Sequence, residues 1–260
     1  MAAVYEALRD ALRDGRPVAL ATVVSGPHVG AKLLVEPGRD PIGTLGDPGL
    51  DRVVGRDAAG ELEAGLTSTR HYGPHGEARE RDLSIFIESF VRPPRMVIFG
   101  AVDFTAALAR SAKLLGYEVT VCDARSIFAT KARFPMADSV VNDWPDRYLA
   151  VVGPDLGPRD AICVLTHDSK FDVPALVSAC ATTVGYIGAM GSRRTHDKRV
   201  VRLREAGLGD ADIDRIMSPI GLDLGARTPE ETAVSICAEI IAHRTGRVAP
   251  SLRDGTGPIH

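Results

Sequence analysis

The second half of the chain alternates short apolar segments with longer segments that carry apolar residues at helical spacing. The short segments, which we predict to be strands, are Met96–Phe99, Glu118–Cys122, Ser139–Val141, Ala161–Leu165 and Val184–Ile187. Strands that alternate with helices pair in parallel through right-handed crossovers. The region from Pro93 to Gly246 therefore predicts a Rossmann-like α/β domain, with its ligand site at the carboxyl ends of the strands.

Helix signals separate and follow these strands. The predicted helices are Phe104–Leu115, Val173–Ala181, Arg193–Ala206, a short helix after Asp210 that ends near Met217, and a final helix that ends near Thr245. The final helix has the most specific start, because Thr228 is a capping residue, Pro229 suits the first helical position and Glu231 completes a capping box. Its predicted buried face consists of Ala233, Ile236, Cys237, Ile240 and Ile241.

The first ninety or so residues have a different pattern. Val4–Arg13 predicts an amphipathic helix, and Val18–Val24 with Ala31–Glu36 predicts a hairpin. Leu62–Thr69 and Leu83–Phe90 also read as strands. Two prolines between Val91 and Arg95 favour an extended linker. We therefore predict two domains, a smaller sheet-rich one over 1–92 and the Rossmann-like one over 93–260.

Composition excludes several classes of function. The net charge is -3, with 31 Lys and Arg spread along the chain, so nucleic acid is not an expected partner. Apolar runs are too short for a membrane span and the first residues do not resemble a signal peptide, so we expect a cytoplasmic protein. The 4 cysteines form no C-x-x-C pair. We therefore expect buried free thiols and no metal site.

The first turn of the predicted sheet lies where Rossmann domains bind phosphate. Gly100 suits the tight turn, whereas Val102 stands where a second glycine lets a pyrophosphate approach the backbone. Asp103 adds a negative charge at the start of the helix, or alternatively caps it. The turn predicts a cofactor contact but not ordinary NAD binding.

An acidic residue follows the second predicted strand. Asp123 lies where such folds carry a carboxylate that accepts a hydrogen bond from a ribose hydroxyl. Arg125 can instead hold a phosphate or a pterin-like anion through its guanidinium. The alternative for both residues is a surface ion pair.

The richest polar cluster, Thr166 to Asp172, follows the fourth strand. His167 is a candidate general base, proton donor or metal ligand, Asp168 a candidate to orient it, and Lys170 a candidate anion ligand. Thr166 adds a hydroxyl to the same edge. The alternative for His167 is a hydrogen-bonded structural role.

Glycines and arginines follow the fifth strand. Gly191, Ser192 and Arg193 stand at a helix start, where backbone N–H groups favour an anionic ligand. Ser192 is alternatively a simple helix cap beside solvated arginines. The glycine-containing segment Ser218–Arg227 is a binding surface or a packed connector.

These segments resemble the XdhC/CoxI family, the accessory proteins of molybdenum hydroxylases such as xanthine dehydrogenase and aerobic carbon monoxide dehydrogenase. The similar segments are Ala19–Val24, Gly30–Val35, Cys122–Arg125, Ala132–Asp138, Leu165–Asp168, Tyr186–Thr195 and Pro219–Glu231. Together they cover nearly the whole chain.

The resemblance implies a cytoplasmic protein, dimeric in the family, that binds molybdenum cofactor and helps to insert it into an apo molybdenum hydroxylase. Many members carry Gly-Cys-x-Glu after the first hairpin, whereas this chain has Gly46-Asp47 there. Many also carry Gly-Ala-Gly-His at the first turn, whereas this chain reads Gly100-Ala-Val-Asp103. The resemblance therefore implies a cofactor-binding chaperone without the family's N-terminal thiol.

Two other functions are compatible with the residues. An NAD(P)-dependent oxidoreductase would use the same crevice, with His167 as proton donor and Asp168 orienting it. A scaffold that contacts only a protein partner would need neither residue.

Overall fold

The computed structural model describes residues 2–77 and 81–254. The chain forms two compact units, Met1–Arg92 and Pro93–His260. No helix within the described ranges is both long and apolar enough to span a membrane.

The N-terminal unit contains an antiparallel sheet. Its strands are β1 (Val18–Ser25), β2 (Lys32–Val35), β3 (Ile42–Thr44), β4 (Ser68–Tyr72) and β5 (Leu83–Phe90), in the order β3-β2-β1-β5-β4. The predicted hairpin is confirmed, since Ala19 of β1 pairs with Val35 of β2 in antiparallel register. Strand β1 lies at the centre of the sheet. Its successive side chains point to opposite faces of the sheet, as in any strand.

One helix covers each face of this sheet. Helix α1 (Ala2–Arg13) packs with Val18 and Leu20, and α2 (Pro48–Ala64) packs with Ala19 and Ala21 on the other face. This alternation follows from the two-residue period of a strand. A sheet with apolar residues on both faces needs both helices to exclude water.

The prediction of a strand over Leu62–Thr69 is wrong. Leu62 lies in α2, which the sequence analysis missed, and β4 starts only at Ser68. Helix α2 contains Gly49, Gly55 and Gly60, and glycine lowers helix propensity by about 1 kcal/mol relative to alanine. Its ends nevertheless carry ordinary signals, an Asp47 cap at the start and a left-handed Gly65 at the end.

The C-terminal unit is a doubly wound Rossmann-like domain. Its strands are β6 (Arg95–Phe99), β7 (Glu118–Cys122), β8 (Ser139–Val141), β9 (Ala161–Val164), β10 (Tyr186–Ala189) and β11 (Ile216–Met217). They form one sheet in the order β11-β10-β9-β6-β7-β8, and every pairing is parallel. The order reverses between β6 and β9, which makes a topological switch point there.

Helices cover both faces of the parallel sheet. They are α3 (Asp103–Leu114), α4 (Pro145–Val152), α5 (Ser169–Cys180), α6 (Arg193–Glu205), α7 (Asp210–Ile213) and α8 (Pro229–Thr245). Met96 and Ile98 of β6 face the core that includes α3 and α8, while Val97 and Phe99 face the core that includes α4 and α5. Both faces of the strands are therefore apolar, as parallel sheets require.

Several predicted boundaries in this unit are wrong. Strand β10 ends two residues later than Val184–Ile187 predicts, and α4 was not predicted. The short helix predicted to end near Met217 ends at Ile213, and Ile216–Met217 form strand β11 instead. Helix α5 begins at Ser169, after the Asp168 cap, rather than at Val173, so that Pro174 lies inside the helix. Asp103 does not cap α3, since Val102 is its N-cap and Asp103 its first residue.

The start of α8 is confirmed in detail. The Thr228 side chain accepts a hydrogen bond from the Glu231 N–H, and the Glu231 carboxylate accepts one from the Thr228 N–H. The predicted buried face is correct for Ala233, Ile236, Cys237 and Ile240, but Ile241 is exposed. Its position beside Ile240 places it partly outside the apolar stripe.

Candidate functional site

The predicted site residues lie at one edge of the parallel sheet. Gly100 follows β6, Asp123 follows β7, Thr166 follows β9 and Gly191 follows β10. Because parallel strands all end on the same side, these residues belong to one carboxyl edge, centred on the switch point. This edge is where open α/β sheets bind their ligands.

Gly100 packs directly against the end of β9. Its φ is +107°, and a Cβ atom added there would lie 2.7 Å from Cγ2 and 3.1 Å from the backbone nitrogen of Thr166. A side chain at this position meets both a strained backbone and a steric clash. The requirement for glycine thus comes from contact within the protein, without any ligand.

The turn after Gly100 uses its own N–H groups. The Gly100 N–H donates to the Cys122 carbonyl over 2.9 Å, and the Ala101 N–H donates to Asp123 Oδ2 over 2.7 Å. The Val102 N–H points at Thr105 Oγ1, 3.4 Å away. These amides would otherwise be available to a phosphate. The turn is therefore bonded internally and is not an open cradle for an anion.

Asp123 is a buried carboxylate with several donors. The Arg125 guanidinium contacts both carboxylate oxygens, at 2.9 and 2.7 Å, and the Arg125 N–H donates to Oδ1 over 2.9 Å. Burial by itself raises the pKa of Asp123, but these bonds and the Ala101 N–H outweigh it, so that the pKa is lowered. A ribose hydroxyl could reach this carboxylate only if Arg125 moved.

Aromatic rings and cations surround Arg125. We call this group the aromatic–cation cluster, and its members are Arg125, Phe128, Arg133, Trp144, Lys170 and Phe171. The guanidinium carbon of Arg125 lies 4.7 Å from the centre of the Phe128 ring and 5.9 Å from that of Phe171. The rings of Trp144 and Phe171 are 5.0 Å apart, and Lys170 Nζ lies 5.1 Å from the Trp144 ring. The three rings are half-buried, so part of each residue remains exposed.

The Asp168 side chain caps a helix instead of orienting His167. Asp168 caps α5, accepting a hydrogen bond from the Lys170 N–H over 3.0 Å. Together with Asp123, whose hydrogen bond is the larger cause, it raises the pKa of Arg125. The predicted orienting hydrogen bond between Asp168 and His167 is not among the contacts of the described residues. The predicted general-base arrangement therefore lacks the carboxylate that would orient His167.

A buried ion pair lies behind this edge. Arg199 Nη2 donates to Asp172 Oδ2 over 3.0 Å and to the Met190 carbonyl over 2.7 Å, and both side chains are only 4% exposed. Asp172 also accepts a hydrogen bond from the Thr166 hydroxyl, and Arg199 Nη1 donates to Ser218 Oγ over 3.1 Å. Burial raises the pKa of Asp172 against the opposing effects of Thr166 and Arg199. The network joins the segments that follow β9, β10 and β11.

The start of α6 has a capping residue rather than an open anion cradle. Ser192 Oγ accepts a hydrogen bond from the Thr195 N–H over 3.1 Å, which confirms the capping alternative. Ser192 and Arg193 border a wide hollow of about 640 Å³, whose other wall is the 219–226 loop. That loop is held to α8, because the Glu239 carboxylate accepts hydrogen bonds from the Gly221 N–H and the Tyr186 hydroxyl.

All 4 cysteines are free and buried, as predicted. Burial raises the pKa of Cys122 to about 12 and that of Cys180 and Cys237 to about 11, and it also raises the pKa of Cys163. Asp47, which stands where the family resemblance implies a cysteine, caps α2 by accepting a hydrogen bond from the Leu50 N–H over 2.9 Å. The described chain thus offers no reactive thiol.

We predict that the folded protein is nearly inert to a thiol-alkylating reagent at mildly alkaline pH, because the thiol form dominates and is shielded. Mass spectrometry should find almost no label on the folded chain and 4 labels after denaturation. Rapid labelling of any cysteine in the folded state would contradict the burial of that thiol.

Several residues that organise this edge have no clear signal in the sequence. Asp172 was noticed only as part of the polar cluster, and Arg199, Trp144 and Phe128 were not singled out. An aspartate followed by the apolar Ala175 and Leu176 at helical spacing is a weak signal of a buried carboxylate. Its arginine partner is 27 residues away, and such a distance leaves no local sequence pattern.

Two models of known protein families together match most of the chain. The model described as the XdhC Rossmann domain matches residues 96–240, and the model described as the XdhC and CoxI family matches residues 11–73. A crystal structure named as a xanthine dehydrogenase from Bacillus halodurans aligns with a TM-score of 0.56 at 20% identity, over 95% of this chain and 97% of that one. This likeness concerns the fold.

Curated relatives are longer proteins. A probable xanthine dehydrogenase subunit of Bacillus subtilis is 31% identical over 92% of this chain, which spans 64% of that relative. The molybdenum cofactor insertion chaperone PaoD of Escherichia coli is 31% identical over 38% of this chain and 31% of its own length. An uncharacterized Escherichia coli protein, YqeB, is 29% identical over 86% of this chain and 43% of its own length. The chain thus spans less than two thirds of each of these relatives.

Proposed function

Because the chain belongs to the XdhC and CoxI family, we propose that it is a maturation factor that binds molybdenum cofactor and assists its insertion into a molybdenum hydroxylase. The relative named as a molybdenum cofactor insertion chaperone supports this role. The single observation that carries the proposal is the aromatic–cation cluster at the carboxyl edge of the parallel sheet.

The cluster suits the organic part of this cofactor. A pterin is a flat, polar heterocycle, and flat rings stack on exposed aromatic faces while cations offset the charge of an attached phosphate. Phe171 and Trp144 are half-buried and each keeps an exposed part, and Arg125 and Lys170 lie over their rings. These are the residues that we propose hold the pterin.

When bound, the cofactor supplies the molybdenum centre that the client hydroxylase uses. This chain's residues bind it, orient it and release it. The buried thiols contribute no sulfur chemistry, since their pKa values are raised by burial. The proposed role is therefore that of a carrier rather than an enzyme.

We also propose that the protein acts in the cytoplasm, as a homodimer, on an apo hydroxylase. These features come from the family resemblance. The oxidoreductase alternative gains no support from the site, because the Ala101 N–H and the Asp123 carboxylate bond to each other and Asp168 caps a helix. A scaffold that contacts only a partner would leave the cluster without a ligand.

The direct test is to purify the protein from a host that makes molybdenum cofactor, denature it, and identify the released ligand by mass spectrometry and absorbance. A pterin in near-stoichiometric amount supports the proposal. Recovery of NAD(P) would instead favour the oxidoreductase. Recovery of no ligand from a cofactor-replete host would overturn the carrier role and favour the scaffold.

We predict that Phe171→Ala lowers the retained pterin, because stacking of one aromatic ring on a flat base contributes about 1–3 kcal/mol, which corresponds to about fivefold to 150-fold in affinity. The matched control is Phe86→Ala, which removes a half-buried phenylalanine from β5 in the other unit. Equal pterin retention in the two variants, both folded by circular dichroism, would mean that the cluster does not hold the ring.

A further inference from the structure

We propose that a basic pocket between α5 and α6 binds a small oxyanion, the phosphate monoester group of the ligand. The residues that decide its chemistry are His167, Arg194, Lys198, Arg202 and the Asp172–Arg199 pair. The identity of the oxyanion as the cofactor's phosphate rests on the proposed function. The oxyanion site itself rests only on the pocket.

The pocket has a row of cations along one helix. Arg194, Lys198 and Arg202 are spaced four residues apart on α6, so their side chains share one face of that helix. All three are exposed, and none of them has an ion-pair partner among the described residues. The neighbouring Arg204, by contrast, pairs with Asp210 over 3.0 Å.

Such a row is unfavourable without an anion. Like charges at i and i+4 on a helix destabilise it, and here the repulsion occurs twice in succession. A phosphate placed among them would replace repulsion with charge-assisted hydrogen bonds. The His167 imidazole, which lines the same pocket, adds a ring N–H donor from the segment after β9.

The carboxylate in the pocket does not cancel these charges. Asp172 is bonded to Arg199 and to the Thr166 hydroxyl, and its side chain is 4% exposed. The net charge that the Asp172–Arg199 pair presents to the pocket is therefore close to zero. It also fixes the pocket wall, because Arg199 bonds to the Met190 carbonyl.

The size of the pocket indicates which part of a ligand fits. Its volume is about 130 Å³, whereas pockets for whole drug-sized ligands have volumes of about 300–1,000 Å³. One small charged group fits, and a ring system does not. The rings of the aromatic–cation cluster lie outside it, although His167 of the pocket and Lys170 of the cluster are only three residues apart.

The usual phosphate site of a Rossmann domain is unsuitable here. The N–H groups of Gly100 and Ala101 bond to the Cys122 carbonyl and the Asp123 carboxylate. The helix after that turn also begins with an exposed aspartate, Asp103. An anion would meet bonded amides and negative charge at that turn, and free cations in the basic pocket.

The test uses inorganic phosphate as the first probe, titrated into the full-length protein at low ionic strength and followed by ³¹P NMR or calorimetry. We expect saturable binding that weakens with added salt. The double variant Lys198→Gln/Arg202→Gln should bind phosphate at least about tenfold more weakly. Each substitution removes a hydrogen bond between a cationic side chain and the anion, and such bonds contribute more binding free energy than bonds between neutral groups. The control Arg204→Gln removes a cation from the same helix outside the pocket and should bind phosphate like the unaltered protein.

The second probe is the pterin retained after purification from a cofactor-producing host. Loss of phosphate binding and of pterin retention in the double variant, but not in the control, supports the proposal in full. Loss of phosphate binding in a protein that never retains a pterin supports the oxyanion site and contradicts the proposed function. Absence of phosphate binding to the unaltered protein, or equal binding by all three, overturns the oxyanion site even where pterin is retained.

Discussion

Replacing Arg199 with methionine is expected to destabilise the C-terminal unit by about 3–5 kcal/mol, because it leaves the Asp172 carboxylate buried without its counter-charge. The substitution also removes the hydrogen bonds from Arg199 to the Met190 carbonyl and to Ser218 Oγ. Methionine keeps most of the side-chain volume, so a cavity contributes little. Urea denaturation followed by circular dichroism would measure the change.

Two further variants separate the effect of the buried charge on stability from the effect of side-chain packing. Arg204→Met removes an exposed arginine from the same helix and should cost no more than about 1 kcal/mol. The double variant Asp172→Asn/Arg199→Met should recover part of the stability lost in Arg199→Met, because the buried group is then neutral and can still accept a hydrogen bond from Thr166. Equal stabilities of Arg199→Met and Arg204→Met would contradict the importance of the buried pair.

Replacing Gly100 with alanine is expected to destabilise the same unit by about 2–5 kcal/mol, from an unfavourable backbone conformation and from overpacking. The added Cβ would lie 2.7 Å from Thr166 Cγ2, and the backbone nitrogen of Thr166 at 3.1 Å limits how far the turn can adjust. Movement of Thr166 would also disturb its hydrogen bond to Asp172. Thermal and urea denaturation would both report the loss.

Gly116→Ala is the matched control. Gly116 has a φ of +81° but nothing within 4 Å of an added Cβ, so this variant isolates the backbone cost of about 1–2 kcal/mol. The difference between the two variants measures the contact between the β6 turn and the end of β9. If both lost the same stability, that contact would have no energetic weight.

The parallel sheet was predictable because its signals are local. Short apolar strands, Gly116 after α3 and the Thr228 capping box each act over a few residues. Helix α2 was not predicted, since its internal glycines weaken the helix signal and packing against the antiparallel sheet stabilises it instead. Packing of this kind involves residues distant along the chain.

The location of the candidate site was predictable from the sequence, but the ion pairs and ring contacts among its residues were not. Fold pattern alone located Gly100, Asp123, Thr166 and Gly191 at one edge of the sheet. The pairing of Asp172 with Arg199 depends on how α5 and α6 lie against each other, which one sequence does not reveal. The same holds for the contact between Arg125 and the Phe128 ring.

The edges of both sheets have a consequence for self-association. The parallel sheet ends in β8, with 3 residues, and β11, with 2 residues. The antiparallel sheet ends in β3, with 3 residues, and in β4, which carries Arg70 and His71 on an exposed stretch. Short or charged border strands resist the addition of a further strand. Copies of this chain should therefore recognise each other through side chains rather than by extending a common β-ladder.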